Sequence, residues 1–174
     1  MHLCRNSIAQ RVRAAVAFVI CGLSSFGVAA QSESDAFKDW VKRCDAGAEK
    51  TQGDATGCYI AQNLVIKEGN QRILLFTVAK PPGKGPVAIL TFPLGIALPP
   101  GVVITVDGGQ PQRFEIERCL QSGCKSAFPL DEEMIRAFKR GLVAEVVIRD
   151  AARSPVTIPV SLQGFTAAFA SLPH

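Results

Sequence analysis

Residues 86–109 read PVAILTFPLGIALPPGVVITVDGG, and this stretch decides the fold. Two runs of β-branched and apolar residues, 87–92 and 102–106, lie on either side of a corner rich in Pro and Gly. Such runs favour β-strands, whereas Pro and Gly interrupt regular structure. The second run ends in Asp-Gly-Gly at 107–109, which is a tight-turn sequence. The stretch therefore predicts two strands joined by a corner, with another strand after the turn.

Strand-forming runs recur on both sides of this stretch. The turn residues of Lys67–Asn70 join two of these runs into a hairpin, and Pro159 places the last run near a sheet edge. About eight short strands at this spacing predict a mainly β fold, either an antiparallel β-sandwich or a partly open barrel. The other predicted strands are 40–44, 59–66, 71–80, 112–120, 142–149 and 156–160.

Two helices are expected to interrupt the strands. Asp131 is a good N-cap, acidic residues follow it, and basic residues precede Gly141. This order of residues predicts one inserted α-helix that ends at Gly141. A short C-terminal helix is predicted over 162–172, with Ser161 as its cap and aromatic residues spaced for packing.

Residues 1–30 have the pattern of a secretory signal peptide. Three arginines precede an uncharged apolar segment, and a small-residue site predicts cleavage after Ala30. Residues 31–174 are then a single domain with no transmembrane span and with sixteen basic against fifteen acidic side chains. Such a near-neutral chain has no basic cluster of the kind that nucleic-acid binding requires.

The predicted mature chain has four cysteines, and an even number in an exported protein favours disulfides. Three pairings are possible. We favour Cys44–Cys58 and Cys119–Cys124, because each pair is close in sequence with turn residues between its members. The alternative is a zinc site made of all four cysteines, which an oxidising compartment disfavours.

The predicted mature chain offers little catalytic chemistry. Its one histidine is His174, so Ser-His-Asp and Cys-His arrangements are excluded. The Gly-Lys-Gly at 83–85 lacks the spacing and the following helix of a phosphate-binding loop. Glu115 and Glu117 are either an acid/base pair or, as we favour, a solvated face. We therefore predict no catalytic residue, no metal and no cofactor.

Two residues are ambiguous between core and site. Trp40 is the only tryptophan, and we interpret it as a core anchor because of the large area that an indole buries. Gln62 shares a predicted strand face with Ile60 and Leu64. We interpret it as a hydrogen-bonded polar residue of the core instead of part of a site.

Several short motifs, taken in order, resemble one known family. The ordered set is similar to the invasion-associated locus B family of bacterial envelope proteins. The resemblance covers nearly the whole predicted mature chain, and it implies an exported, disulfide-containing β-rich domain of a Gram-negative envelope. In pathogenic members the family is associated with invasion of host cells, and it has no catalytic residues to carry over. The motifs are Trp40-x3-Cys44, Cys58-x3-Gln62, Phe92-Pro93-Leu94-Gly95-Ile96, Leu98-Pro99-x-Gly101, Val106-Asp107-Gly108-Gly109, Cys119-x3-Gly123-Cys124 and Ile158-Pro159-Val160-Ser161-Leu162-x-Gly164-Phe165.

These observations predict a non-enzymatic envelope protein that is periplasmic, outer-membrane-associated or secreted. Its partner would be a protein or another envelope component. The Pro/Gly motifs are interpreted as corners, so a binding surface is expected on the loops 45–57, 81–85 or 121–125. The alternatives are a structural or chaperone-like periplasmic module, and a hydrolase that uses a carboxylate pair.

Overall fold

A computed structural model describes residues 34–44 and 57–173. The predicted signal peptide and most of the predicted binding loop 45–57 lie outside the described residues. The described part is mainly β and has eleven strands and two helices, with α1 between β9 and β10 and α2 after β11. They are β1 (Ser34–Phe37), β2 (Trp40–Cys44), β3 (Cys58–Val65), β4 (Arg72–Ala79), β5 (Val87–Phe92), β6 (Val102–Val106), β7 (Gln112–Phe114), β8 (Arg118–Leu120), β9 (Gly123–Pro129), α1 (Glu132–Arg140), β10 (Val143–Arg149), β11 (Pro155–Ser161) and α2 (Phe165–Ala170).

The strands form two antiparallel sheets. One sheet has seven strands in the order β1-β2-β3-β4-β5-β9-β8, and the other has four in the order β11-β10-β6-β7. Buried residues of both sheets belong to one hydrophobic cluster, so the sheets pack face to face. The prediction of an antiparallel sandwich is confirmed, and the sheets do not close into a barrel. Pro159 lies on the edge strand β11, as predicted.

Strand periodicity explains the core. In β5 the buried positions alternate with half-buried ones, as expected for a strand with one face inward. The predicted inward residues Ala144, Val146 and Ile148 of β10 are buried, but Leu142 is 66% exposed. The prediction for Leu142 was wrong because β10 begins only at Val143. Both helices contribute aromatic residues to the core between the sheets.

The predicted strand 112–120 is two strands in different sheets. β7 pairs with β6 in the four-stranded sheet, whereas β8 pairs with β9 in the seven-stranded sheet. The chain crosses between the sheets at 115–117, where the Ser126 hydroxyl donates to the Glu115 carbonyl at 2.6 Å. Apolar alternation continues through the crossing, since Ile116 is buried like a strand residue. The apolar alternation of 112–120 therefore gave no sign that the strand is interrupted at 115–117.

The inserted helix agrees with its prediction, and the C-terminal helix is shorter than predicted. The Asp131 carboxylate accepts from the Met134 amide at 2.7 Å, and α1 ends before Gly141. α2 begins at Phe165 and its N-cap is Gly164, not the predicted Ser161. Ser161 is instead the last residue of β11, where its backbone and hydroxyl are already engaged in other hydrogen bonds.

The four cysteines form two disulfides in the favoured pairing. Cys44–Cys58 joins β2 to β3, and Cys119–Cys124 joins β8 to β9. In both cases the two residues lie directly opposite each other in the strand register. A four-cysteine zinc site is therefore ruled out, because the sulfurs are bonded to one another. Disulfides fit an extracytoplasmic location.

Candidate functional site

Three of the motif residues form a latch between the two sheets, which we call the Ser161 latch. The Trp40 indole Nε1 donates to the Ser161 carbonyl at 3.0 Å. The Gln62 side-chain amide donates to the same carbonyl at 3.0 Å and accepts from the Ser161 backbone N–H at 3.2 Å. Trp40 and Gln62 are buried on the seven-stranded sheet, and Ser161 ends β11 of the four-stranded sheet.

The Ser161 latch gives these motif residues a structural role. β11 is an edge strand, and an edge strand has backbone groups without a strand partner. The Gln62 amide supplies one donor and one acceptor, as a neighbouring strand would, and satisfies both groups of Ser161. The interpretation of Gln62 as a hydrogen-bonded core residue and of Trp40 as a core anchor is confirmed.

Gly164 belongs to the same region for a steric reason. Its φ is +90°, and a Cβ at this position would lie 1.9 Å from the Phe37 carbonyl oxygen. Only glycine allows the backbone before α2 to approach β1 this closely. The Asp39 carboxylate next to β2 accepts from the Ser161 hydroxyl at 2.6 Å. These contacts hold α2 and the hairpin of β1 and β2 against the end of β11.

The Val-Asp-Gly-Gly motif is a turn that holds the start of β10. Both Asp107 carboxylate oxygens accept backbone N–H groups, from Leu142 and from Val143, each at 2.9 Å. The Gly109 N–H donates to the Val106 carbonyl at 2.8 Å and closes the tight turn predicted from the sequence. The carboxylate thus connects β6 to β10.

The Pro/Gly motifs at 93–101 form a corner that carries the chain from one sheet to the other. β5 lies in the seven-stranded sheet and β6 in the four-stranded sheet. At Gly101 the φ is +87°, and a Cβ would lie 2.2 Å from the Phe114 carbonyl oxygen. The Arg113 guanidinium donates to the Pro100 carbonyl at 3.1 Å. These contacts are those of a packed corner, as interpreted from the sequence.

Glu115 and Glu117 lie on a solvated face, as we favour, and the alternative acid/base pair is not assembled into a pocket in the described residues. Glu115 and Glu117 are both exposed. Glu115 borders a shallow hollow with Pro99 and Ile116, and Glu117 does not line that hollow. Across residues 34–44 and 57–173, no group of three or more His, Cys, Asp or Glu side chains could hold a metal ion. No helix of this part of the chain is long and apolar enough to cross a bilayer.

Two of the three predicted binding loops can be examined. The loop 121–125 contains the tip of the β8–β9 hairpin, which the second disulfide closes. The loop 81–85 follows β4 and borders a cleft of about 390 Å³ against α1 and α2. We call this the lysine cleft. Its lining consists of Lys80, Pro81, Gly83, Lys84, Pro86, Ile135, Lys139 and Phe169.

The lysine cleft places two ammonium groups on one aromatic ring. The Lys80 Nζ lies 4.5 Å from the centroid of the Phe169 ring, and the Lys139 Nζ lies 5.2 Å from it. Both distances are within the range of a cation–π contact. Lys80 also donates to the Leu172 carbonyl at 3.4 Å. Lys84 is a third lysine at the exposed side of the cleft.

The charges of the cleft are not neutralised within the described residues. None of its three lysines takes part in the salt bridges of this part of the chain, which are Lys42–Asp35 and Arg136–Glu132. No carboxylate is among the residues that line the cleft. Desolvation by burial, and after it the charge of Lys139, lower the pKa of Lys80 from its usual 10.5. Burial and the Lys139 charge therefore both disfavour the protonated form of Lys80.

A second basic hollow, beside the corner 93–101, differs in its chemistry. It is lined by Arg149 and Arg153 together with corner residues. The Arg149 guanidinium donates to the Arg153 carbonyl at 2.9 Å, and the intervening Asp150 carboxylate accepts from the Ser154 N–H at 2.8 Å. The arginine therefore stabilises its own turn. The lysine cleft is the stronger candidate for binding an external group.

Comparisons with known proteins agree with the motifs. The sequence profile of the invasion associated locus B (IalB) protein family matches residues 40–173. The chain belongs to the invasion associated locus B family. A crystal structure of invasion associated protein b from Bartonella henselae has the same fold, with a TM-score of 0.68 and 22% sequence identity. The match covers 80% of this chain and 93% of the Bartonella chain. No curated protein sequence is significantly similar to this chain.

The invasion associated locus B motifs and the lysine cleft lie in different parts of the sequence. The motifs supply the Ser161 latch, the Asp107 turn, the corner and the disulfides. Of the residues that line the cleft, none belongs to the quoted motifs, and Phe169 follows the last motif by four positions. Sequence analysis identified the loop 81–85 but missed Lys139 and Phe169, since only the tertiary fold brings them to that loop.

Proposed function

We propose that this member of the invasion associated locus B family is an exported envelope protein that acts by binding and not by catalysis. In this proposal residues 1–30 are removed as a signal peptide, and residues 31–174 act as one domain in the periplasm, at the outer membrane or outside the cell. Its partner is a protein or another envelope component. Any role in host-cell invasion would depend on that contact.

The lysine cleft is the observation that carries this proposal. It combines a concave surface, positive charge that the described residues do not neutralise, and a buried aromatic ring contacted by two ammonium groups beside a surface loop. Binding residues are often placed on loops that a rigid scaffold holds in position. Here the disulfides and the Ser161 latch provide that scaffold, and the loop 81–85 is free of both.

A structural or chaperone-like periplasmic role is a second candidate. It is favoured by the number of motif residues whose contacts stabilise the scaffold, such as Gln62, Asp107 and Gly164. The two candidates differ in the phenotype of a deletion strain. If the protein is a structural module, the deletion strain should be sensitive to envelope stress, and any folded variant should restore its resistance. If it is a binding protein, only variants with an intact lysine cleft should restore the resistance.

The binding proposal is tested by photo-crosslinking in intact cells. A benzophenone amino acid replaces Pro82, which is exposed in the loop 81–85. The matched control replaces Lys67, which is exposed at the tip of the β3–β4 hairpin. We expect one defined envelope adduct from position 82 and none from position 67. Adducts of equal yield from both positions, or from neither, would contradict the proposal.

A further inference from the structure

The geometry points to a specific ligand class: we propose that the lysine cleft binds the phosphate of an organic phosphomonoester whose substituent is apolar. This inference rests on the proposed binding function and narrows it to one chemistry. The phosphate would sit among the ammonium groups of Lys80, Lys84 and Lys139. The apolar substituent would lie along the half-buried lining residues Pro81, Pro86 and Ile135.

The number of cations favours phosphate over a single carboxylate. A phosphomonoester carries about −1.5 to −2 charges near neutral pH and has three strong acceptor oxygens. Lysine binds phosphate as a compact point charge with three donors. Three lysines line the cleft, and no acid among residues 34–44 and 57–173 does. A dianion would therefore offset more of the repulsion between the neighbouring ammonium groups than a monoanion would.

The cleft walls favour a substituent that is apolar. Pro81 and Pro86 line one side, and Ile135 of α1 lines another. Phe169 also lines the cleft but is buried, so the apolar contact area comes from the half-buried prolines and Ile135. A ligand with an apolar group next to its phosphate would cover this surface, and each buried CH₂ group would tighten binding about fourfold. Inorganic phosphate would satisfy only the ammonium groups.

An anion bound in the cleft would oppose the two effects that lower the pKa of Lys80. Burial and the Lys139 charge both disfavour the protonated form of Lys80. A bound phosphate would favour that form, because a nearby opposite charge stabilises an ammonium ion. The pKa of Lys80 should therefore rise when the ligand binds, and the Lys80 Nζ would exchange its contact with the Leu172 carbonyl for a phosphate oxygen.

The experiment is a calorimetric titration of the purified, oxidised exported protein with octyl phosphate and, in parallel, with inorganic phosphate. We expect octyl phosphate to bind at least about tenfold more tightly, as two buried CH₂ groups already suffice for that ratio. The variants Lys80→Met and Lys139→Gln should each weaken octyl phosphate binding about tenfold or more, which corresponds to the loss of one charge-assisted hydrogen bond.

Matched variants control for net charge and for helix effects. Lys67→Gln removes an exposed lysine on a turn, and Arg140→Gln removes the cation next to Lys139 at the end of α1. Neither residue lines the cleft, so both variants should bind octyl phosphate like the unchanged protein. Equal losses in the control and the cleft variants would overturn the inference. Melting temperatures of all variants show whether each is folded.

A further arm separates two sources of the same chemistry. Vesicles of equal parts phosphatidylcholine and phosphatidic acid present the phosphate on a lipid surface, and octyl phosphate presents it in solution. Binding to both, or to octyl phosphate alone, supports the cleft assignment and identifies the source. No binding of octyl phosphate overturns the inference. If position 82 still yields its envelope adduct, the binding function stands and only the ligand class is wrong.

Discussion

The substitution Gln62→Leu tests the Ser161 latch. It removes two hydrogen bonds that join the sheets, from Gln62 Nε2 to the Ser161 carbonyl and from the Ser161 N–H to Gln62 Oε1. The carbonyl keeps its bond from Trp40, but the Ser161 N–H loses its side-chain acceptor. Each lost bond costs about 1 kcal/mol, and leaving the part-buried Ser161 N–H without this acceptor adds about 1 kcal/mol.

We therefore expect Gln62→Leu to lower the free energy of unfolding by about 3 kcal/mol. For a slope of about 2 kcal/mol per molar urea, the unfolding midpoint would fall by about 1.5 M. Equilibrium urea unfolding followed by tryptophan fluorescence measures this shift, and the only tryptophan, Trp40, lies in the latch. The neighbouring variant Asn63→Leu changes an exposed residue and should stay within about 0.5 kcal/mol.

An isosteric substitution separates hydrogen bonding from packing. Gln62→Glu keeps the shape, but an ionised carboxylate cannot donate to the Ser161 carbonyl. Its protonated form can, so this variant should regain stability as the pH is lowered. A cost below about 1 kcal/mol for Gln62→Leu, or no acid rescue of Gln62→Glu, would refute the reasoning about the latch.

Four other predictions concern single residues of the scaffold and the cleft. Gly164→Ala should cost about 2 kcal/mol or more in thermal unfolding, because its Cβ would collide with a carbonyl oxygen at a positive φ. Asp107→Ala should cost about 2 kcal/mol in urea unfolding, since two backbone donors lose their acceptors. Cys44→Ser should cost about 3 kcal/mol, whereas loss of the shorter disulfide should cost about 2 kcal/mol on the chain-entropy model; equal melting with and without reductant would contradict both. Because the pKa of Lys80 is lowered in the folded protein, its contribution to the free energy of unfolding is complete above pH 10.5 and is lost as the pH falls through the lowered pKa. At neutral pH, the Lys80→Met variant should therefore have a melting temperature no lower than that of the unchanged protein. Any advantage of the variant should vanish above pH 10.5.

Local signals predicted the parts of the fold that local interactions build. The helix α1 lies between its N-cap Asp131 and its C-cap Gly141, with acidic residues in the first turn and basic residues in the last. It forms as predicted, because these signals all lie within the helix or directly beside it. The hairpin turn needed residues that tolerate positive φ, and Gly69 and Asn70 have φ values of +88° and +52°. In each case a few neighbouring residues determine the conformation, so the sequence alone is sufficient.

Which sheet a strand joins depends on residues distant in sequence, and the predictions that depended on such contacts were wrong. The run 112–120 alternates like one strand, yet it crosses from one sheet to the other because Ser126 and Lys125 of β9 hold its middle. β9 itself was not predicted, since its sequence GCKSAFP has Gly and Pro at its two ends. Ser161 was predicted to be a helix cap. In the structure its backbone carbonyl binds Trp40 and Gln62 of the other sheet, and its hydroxyl donates to Asp39.

The candidate site was only partly predictable for the same reason. The Pro/Gly-rich loop 81–85 is recognisable as a surface loop. The sequence predicts that Lys139 is a basic residue at the end of a helix and that Phe169 is an aromatic residue of the core, and both predictions are confirmed. Their second role arises because α1 and α2 pack beside the end of β4. A contact between residues so distant in sequence leaves no pattern in a single chain.

Hydrogen-exchange mapping, with and without envelope fragments from cells that export the protein, tests the central claim most directly. If the family motifs build the scaffold and the lysine cleft makes the external contact, the fragments should add protection in residues 80–86, at the end of α1 around Lys139, and around Phe169. The corner 93–101 should change little. Protection centred on that corner, or no protection anywhere, would contradict this claim.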